Sequence, residues 1–382
     1  HGIHHAIVSK RFEPCHAGRG TIDAMVTRRA TIADVARAAG VAPSTASVVF
    51  SGKTPVTEAT RARVLAAAAD LGYTGPDPRA ASLRRGRSGI VGVVFEEDLG
   101  SAFLDPVKTQ MMDGLADGVA PIGAGLLLLR DDDNDGREPT LTTAPLDAAV
   151  LVGCSGRMRE SLATVRGRGI PVVVIEGDAG AGVPRIDLDN REAQRQLASH
   201  LRSLGHERVA AVTLPVDRRR ARGWIGDGDP ITIDVTRERL LGVRDVYPDA
   251  PAYAGAGSFI DEGLAAGRVI LAADDRPTAV MAQSDLLAAG VLRAAEESGL
   301  RVPEDISITG FDGIPVDGIA PYELTTMAQP AAEKGRAAGA AVVAMLDDAE
   351  AASIRFTCGF RPGNTAGPAS AGRPPTPAHA AP

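Results

Sequence analysis

Residues 89–362 alternate short apolar runs with longer amphipathic stretches. The runs IVGVVF (90–95), GLLLLR (125–130), AAVLVG (148–153), PVVVIE (171–176), RVAAVTL (208–214), TAVMAQ (278–283) and ISITGFD (306–312) predict buried strands. The stretches 107–119, 158–168, 191–204, 261–273, 285–299 and 331–347 predict helices between them. Apolar strands separated by helices imply parallel sheets covered on both faces. The strands are many for one sheet, so two similar lobes are expected.

A different pattern precedes them. In TIADVARAAGVAPSTASVVF (31–50), Thr31 can cap a helix whose apolar residues Ile32, Val35, Ala36 and Ala39 recur at helical spacing. Gly40 ends that helix. Pro43 suits the first turn of the next, where its missing N–H would lack a partner anyway. Thr57 caps a third helix with Val64, Leu65, Ala68 and Leu71 on its inner face, and Gly72 stops it. Two short helices joined by a glycine-containing turn predict a helix-turn-helix. Its second helix, carrying Ser44, Thr45 and Ser47, would enter the major groove of DNA.

The net charge of −7 argues against a nucleic-acid binder, but its distribution argues for one. Residues 25–90 hold ten Lys and Arg against four Asp and Glu, which leaves +6 there and −13 elsewhere. A small basic head on an acidic body suits a DNA-binding domain whose companion avoids DNA. Residues 75–88 open with GPDP and continue RAASLRRGR, with Leu83 as the large apolar side chain. This segment is too small to fold alone. It reads as a solvated linker or as a hinge helix that forms on DNA.

Residues 1–24 lack periodicity and carry His1, His4, His5 and His16. A histidine-rich tract can bind metal; the plainer reading is a disordered extension, with Met25 the natural start. Residues 363–382 are rich in Pro, Ala and Gly and are expected to form a disordered tail. Cys15, Cys154 and Cys358 are widely spaced and form no CxxC pair, so neither a metal cluster nor a disulfide framework is expected. No apolar run approaches the ~20 residues of a membrane helix, and no signal-peptide pattern is present. The expected location is a reducing cytoplasm, with no membrane partner.

The succession of motifs resembles the LacI/GalR (lactose and galactose repressor) family of bacterial transcription regulators over roughly residues 30–350. The head TIADVARAAGVAPSTAS is followed by TRARVLAAAADLGY and RAASLRRGRSG. The body shows GIPVVVIE, IDLDN, HLRSLGHERVA, RPTAVMAQSD, GLRVPEDISITGFDG and LTTMAQP in the family's order. The resemblance implies a three-helix DNA-binding head (25–74), a hinge helix (75–88) and a two-lobed α/β body like a periplasmic sugar-binding protein (89–362). The first lobe would span about 89–188 and 323–362, and the second about 189–322, joined by three crossover strands. A small molecule would bind between the lobes, outside the strand ends. The family works as a homodimer or larger oligomer. No C-terminal leucine heptads are seen, which favours a dimer.

The resemblance also assigns residues. Thr31 and Thr57 match positions whose hydroxyls contact phosphate near helix N-termini, and each also has a capping role. Ser44, Thr45 and Ser47 would reach phosphates or base edges. Arg79, Ala80 and Leu83 match the hinge, where the leucine wedges into the minor groove and kinks the duplex; Arg84, Arg85 and Arg87 would neutralise phosphates nearby. The family often has Arg where Val48 stands and Asn where Ser51 stands, and Pro43 and Ser44 replace its usual base readers. Apolar contact by Val48, such as with a thymine methyl, would then replace part of a guanine readout.

For the effector, Arg239 in RERLLG matches the arginine that reaches into the cleft, and Asp312 in GFDG a carboxylate at a strand end. The two would grip ligand hydroxyls or form a structural ion pair. Ser284 stands where Asn is usual, Asp285 beside it would cap the helix 286–299, and Phe103 in SAFLDP matches an aromatic of the cleft. Trp224 lies in an unusual insertion, RRRARGWIGDGDP, read as a cleft lid or a solvated loop. His206 in LGHER is expected to pack or cap.

The function these readings imply is a repressor of transcription on a pseudo-palindromic operator of double-stranded DNA, controlled by a sugar or related metabolite. No cofactor is implied. An enzyme would need a catalytic constellation, and no GxSxG, P-loop, HExxH or placed Cys–His pair is present. Two rivals stay open: a DNA-binding regulator without an effector, and a solute-binding protein, which would need a signal peptide and no head.

Overall fold

The computed structural model describes residues 30–52, 54–75, 86–95, 99–130, 140–153 and 157–370. The chain divides into an N-terminal unit ending at Arg84 and a C-terminal unit beginning at Arg85. Residues 1–24, Arg79, Ala80, Leu83 and Cys154 lie outside the described residues.

The N-terminal unit holds α1 (Ile32–Ala38), α2 (Pro43–Ser51) and α3 (Glu58–Asp70). Thr31 and Asp34 cap α1 reciprocally. The Asp34 N–H donates to Thr31 Oγ1 at 3.3 Å, and the Thr31 N–H to Asp34 Oδ2 at 3.0 Å. Gly40 turns the chain with φ 65°, and the Val41 N–H reaches back to the Ala36 carbonyl at 3.0 Å. The core is built from small side chains (Val35, Ala36, Ala46, Val49, Val64 and Ala68), so three short helices can close on one another. Phe50 meets Tyr73 edge to face at 5.3 Å.

The inner face of α3 differs from expectation: Val64, Ala67 and Ala68 are buried, while Leu65 is 43% and Leu71 42% exposed. Leu65 lies one residue, about 100°, around the helix from Val64. Leu71 is the C-cap, past the last full turn.

The C-terminal unit runs through β1 (Ile90–Phe95), α4 (Leu99–Leu104), α5 (Pro106–Val119), β2 (Gly125–Arg130), β3 (Ala148–Val152), α6 (Met158–Gly167), β4 (Val172–Ile175) and β5 (Arg185–Leu188). It continues with α7 (Asn190–Ser203), β6 (Val209–Thr213), β7 (Gly223–Trp224), α8 (Asp234–Arg244), β8 (Ala252–Ala254), α9 (Ile260–Leu271), β9 (Ala279–Ala282), α10 (Asp285–Glu297) and β10 (Ser307–Thr309). The last elements are β11 (Thr326–Ala328), α11 (Ala331–Leu346), β12 (Ile354–Phe356) and β13 (Gly359–Arg361).

Two sheets result. The first has the order β12-β5-β4-β3-β1-β2 and is parallel throughout. The second has the order β10-β9-β6-β8-β7, parallel except for β7 at its edge. Valines and isoleucines such as Val91, Val93, Val150, Val173 and Ile175 fill the first core, and Val212, Val280, Ile308 and Val291 the second. These strands are buried on both faces, as their unbroken apolar runs require.

Helix pairs close the layers at unusually short range. A Cβ on Gly335 of α11 would stand 1.9 Å from the Met111 carbonyl oxygen of α5, and one on Gly114 would stand 1.9 Å from that of Ala332. The two helices therefore touch backbone to backbone, which only glycine permits.

The chain crosses between lobes three times: between β5 and α7, between β11 and α11, and between β12 and β13. β11 pairs with β13, and bridges join Thr309 to Thr325 and Asp312 to Ala328. Residues 323–328 and 359–361 thus pack with the second lobe, not the first, because their backbone hydrogen bonds go there. Residues 363–370 are not a disordered tail. The Ile308 N–H donates to the Thr365 carbonyl at 2.8 Å, the Thr325 N–H to Thr365 Oγ1 at 3.0 Å, and the Ala369 N–H to the Leu204 carbonyl at 2.8 Å. Composition missed this because two of these three bonds use only backbone groups, which any residue except proline can supply in full.

Candidate functional site

In the head, α2 turns Ala46 and Val49 inward. That leaves Ser44 exposed and Thr45, Ser47 and Val48 half-buried, together on the part of the helix outside the core. Ser51, at the last turn, donates its hydroxyl to the Val48 carbonyl at 3.3 Å. The hydroxyls of Thr31 and Thr57 cap α1 and α3, the latter accepting from the Thr60 N–H at 3.3 Å. Both sit at helix starts, where N–H groups lacking helical partners favour an anion.

In the body, the carboxyl ends of the strands face a cavity of about 190 Å³ between the lobes. The first lobe contributes Phe95 at the end of β1, Lys108 of α5 and Glu176 just past β4. The second contributes Arg239 of α8, Ser284 and Asp312. Arg239 is buried and lies 3.5 Å from Asp312, so the structure brings this expected pair together. Its guanidinium lies over the Phe311 ring at 3.7 Å, and its NH1 donates to the Gln283 carbonyl at 2.6 Å.

The pair belongs to a closed ring of polar contacts. Arg239 Nε donates to Asn190 Oδ1 (2.8 Å), and Asn190 Nδ2 to Glu176 Oε1 (2.9 Å). Lys334 Nζ donates to Glu176 Oε2 (2.6 Å) and also to Gln329 Oε1. Gln329 Nε2 then donates to Asp312 Oδ1 (2.6 Å). Glu176 and Lys334 come from the first lobe, Arg239 and Asp312 from the second, and Asn190 and Gln329 stand beside the crossings.

Electrostatics divide the carboxyls. Burial pushes Glu176 up, but the charges of Lys334 and Arg239 and the hydrogen bonds from Lys334 and Asn190 outweigh it and hold it below the usual range. Asp312 is pushed well up by burial, against the pull of Arg239 and with the push of Asp285. Asp285 is itself pushed up to about 6 by burial, opposed by hydrogen bonds from the Thr326 hydroxyl and the Ile314 N–H. Asp312 also holds φ 116°, a strained backbone for an L-residue at the cavity wall.

The other expected residues fall differently. Ser284 lines the cavity, and it is Ser284, not Asp285, that caps α10: its Oγ accepts the Leu287 N–H at 3.1 Å and the Ser258 hydroxyl at 2.9 Å. A β-region residue just before the helix has the capping geometry, and Asp285 is already inside it. Phe103 is 56% exposed on α4 and does not line the cavity. Trp224 is 48% exposed, stacked edge to face on Tyr253 at 5.5 Å in the edge strand β7. His206 is buried between Thr278 Oγ1 (2.9 Å) and the Gly367 carbonyl (3.0 Å), a packing role.

Sequence reasoning passed over Glu176, Asn190, Gln329 and Lys334. The signal for three of them was a polar residue closing an otherwise apolar or extended motif, in GIPVVVIE, IDLDN and LTTMAQP. Lys334, in a helix, gave no such signal.

A three-helix head with a helix-turn-helix, followed by a two-lobed body with a polar ring between the lobes, defines a transcription regulator of the ligand-cleft type. A model of the lacI family of bacterial regulatory proteins matches residues 31–75, and one of a periplasmic binding protein-like domain matches residues 198–361. The chain is 35% identical over 330 residues to the HTH-type transcriptional regulator Rv3575c of Mycobacterium tuberculosis, covering 82% of this chain and 90% of that protein. It is 30% identical over 322 residues to the HTH-type transcriptional repressor CytR of Escherichia coli, covering 81% and 87%. In fold it is similar to the lac repressor dimer bound to operator and the anti-inducer ONPF (TM-score 0.72, 20% identity, 89% and 100% covered). A complex of the regulator CelR with cellobiose superposes with TM-score 0.60 at 24% identity, covering 88% and 100%. The chain belongs to the lacI family and is a DNA-binding transcriptional regulator. No helix among the described residues is long and apolar enough to cross a membrane.

Proposed function

We propose that the protein is a cytoplasmic repressor that acts by binding alone. As a homodimer it grips a pseudo-palindromic operator of double-stranded DNA and changes affinity when a sugar or related metabolite enters the cavity. One observation carries this reading: the ring Asn190–Glu176–Lys334–Gln329–Asp312–Arg239 spans both lobes, so a ligand that takes any of its members changes how the lobes are held. Arg239 and Asp312 would bind ligand hydroxyls from donor and acceptor sides, with Ser284 beside them. A cavity of about 190 Å³ suits a small metabolite. Coupling of this kind changes operator affinity by typically ~1–3 kcal/mol.

In the head, Ser44, Thr45, Ser47 and Val48 would meet the major groove, Thr31 and Thr57 the phosphates, and Arg79, Ala80 and Leu83 the minor groove. Two-fold symmetry of the dimer would match half-sites about one helical turn apart or a multiple of it.

Footprinting on the DNA flanking the protein's own gene tests the operator, and fluorescence anisotropy with a metabolite panel tests control. A protected palindrome, released by a metabolite from wild type but not from Arg239→Ala, is expected. Binding no tighter to any of that DNA than to random sequence would sink the proposal.

A further inference from the structure

The insertion that carries Trp224 is rooted in the wall of the cavity. Its two ends, residues 214–215 after β6 and 233–235 entering α8, both line it. Hydrogen bonds hold these ends together. The Thr232 and Ile233 N–H groups donate to the Val216 carbonyl at 2.9 and 3.3 Å, and the Thr236 hydroxyl donates to the Pro215 carbonyl at 2.8 Å. The fully buried Gln283 ties the same ends: its Oε1 accepts the Leu214 N–H at 3.1 Å, and its Nε2 donates to the Thr236 carbonyl at 3.1 Å. The Gln283 carbonyl in turn accepts the 2.6 Å bond from Arg239. The wall and the arginine are therefore set in one frame.

What this wall shows to the cavity is apolar. Leu214, Ile233 and Val235 are half-buried and line it, and Val107 of α5, also half-buried, lines it from the first lobe. Farther along the insertion, Ile225 and Ile231 pack on Ala211, Leu240 and Ala252 in a small core of their own. Val107, Ile233 and Val235 belong to none of the hydrophobic cores formed by the described residues. The contents of the cavity decide what covers them.

Among the described residues the aromatic side chain of the lining is Phe95, and it is only 3% exposed. A sugar ring finds no broad aromatic face there to stack on. Branched aliphatic side chains also penalise a hydroxyl set against them, because it gives up water and gains no hydrogen bond. An alkyl group in the same place gives up nothing and takes apolar surface out of water on both sides.

We infer that the effector carries an alkyl group beside its hydroxyls, as a 6-deoxy sugar does, and that Val107, Ile233 and Val235 are the specificity-determining residues that select it. This rests on the effector reading above, which gives the hydroxyls to Arg239 and Asp312.

The test measures operator release by fluorescence anisotropy with matched sugars that differ by one hydroxyl: L-galactose and L-fucose, L-mannose and L-rhamnose, D-glucose and 6-deoxy-D-glucose. The expected result is that in at least one pair the deoxy member acts at concentrations at least about tenfold lower than its parent. Val107→Thr and Val235→Thr nearly keep the side-chain shape and add a hydroxyl, and each should narrow that ratio. The ratio is taken within each protein, so a change in operator affinity common to both sugars cancels. Parents acting as well as their deoxy partners, a ratio unchanged in both variants, or release by no sugar of the panel each overturns the inference. A parent sugar that releases the operator from wild type but not from Arg239→Ala, with no deoxy preference, overturns the alkyl group and leaves the effector reading standing. Operator affinity insensitive to Arg239→Ala and to every compound defeats that reading as well.

Discussion

Lys334 Nζ lies 2.6 Å from Glu176 Oε2, joining a fully buried ammonium on α11 to a carboxylate at the end of β4. The pair fixes the first-lobe side of the polar ring. Removing one partner would strand the other charge, which costs about 3–5 kcal/mol for a buried pair. Lys334→Met should therefore lower unfolding free energy by that order in a denaturant titration. Adding Glu176→Gln should recover much of the loss; a double variant no more stable than the single one would show that the pair is not coupled.

Stability should also depend on pH through Asp285. Its folded carboxyl sits at about 6 against an ordinary 3.8, so the folded state binds the proton more tightly than the unfolded one. This contribution is fully present below the unfolded value and is lost as pH rises through about 6, an effect on the order of 3 kcal/mol. Glu176 works the other way: its lowered folded value means that its contribution is lost only as pH falls below the ordinary carboxylate range. Chemical denaturation between pH 4 and 7 should show stability declining with pH in wild type and a flatter profile in Asp285→Asn. An unchanged slope in the variant would assign the effect elsewhere.

Much of this architecture is legible in the chain. The runs around Val93, Val150 and Val280 predict their strands to within a residue or two, because strands buried on both faces are apolar without interruption. The helix α8 carrying Arg239, the two-residue strand β7 and the three-residue strands β11 to β13 were not: the inward face of α8 holds Thr236 and Arg239 beside Leu240 and Val243, so its helical period is masked by polar residues, and the strands are too short to show a period. Arg239 and Asp312 could be found through motifs. Lys334 could not, because a lysine on a helix reads as solvated until the fold places Glu176 opposite it.

The crossing of α5 and α11 makes a steric prediction. A leucine at Gly335 would drive its Cβ to 1.9 Å from a backbone oxygen that belongs to a helix and cannot move alone. Gly335→Leu should cost ~3 kcal/mol or more, at or beyond the upper end of typical overpacking. Gly123→Leu in a turn, where a Cβ meets nothing within 4 Å, should cost less despite its φ of 62°. Melting curves of the two variants compare them directly; equal losses would argue against backbone contact.

Val48 presents only methyl groups on the outer part of α2. Selection of sites from random DNA should give half-sites with thymine at the position it reads, and Val48→Arg should shift that position toward guanine by about 1–3 kcal/mol of discrimination. A guanine preference that survives Val48→Ala would place that readout on another residue.

Residues 363–370 have a further consequence, for the integrity of the second sheet. β10 is an edge strand, and the segment after β13 occupies its open side: the Ile308 N–H donates to the Thr365 carbonyl at 2.8 Å, and the Gly367 N–H donates to Ser307 Oγ at 3.0 Å. An uncovered edge is a template for pairing with another chain. A truncation after residue 362, the boundary that composition suggests, should therefore leave the sheet with a sticky margin and yield a protein that self-associates through β10, while one ending at residue 370 keeps that margin sealed.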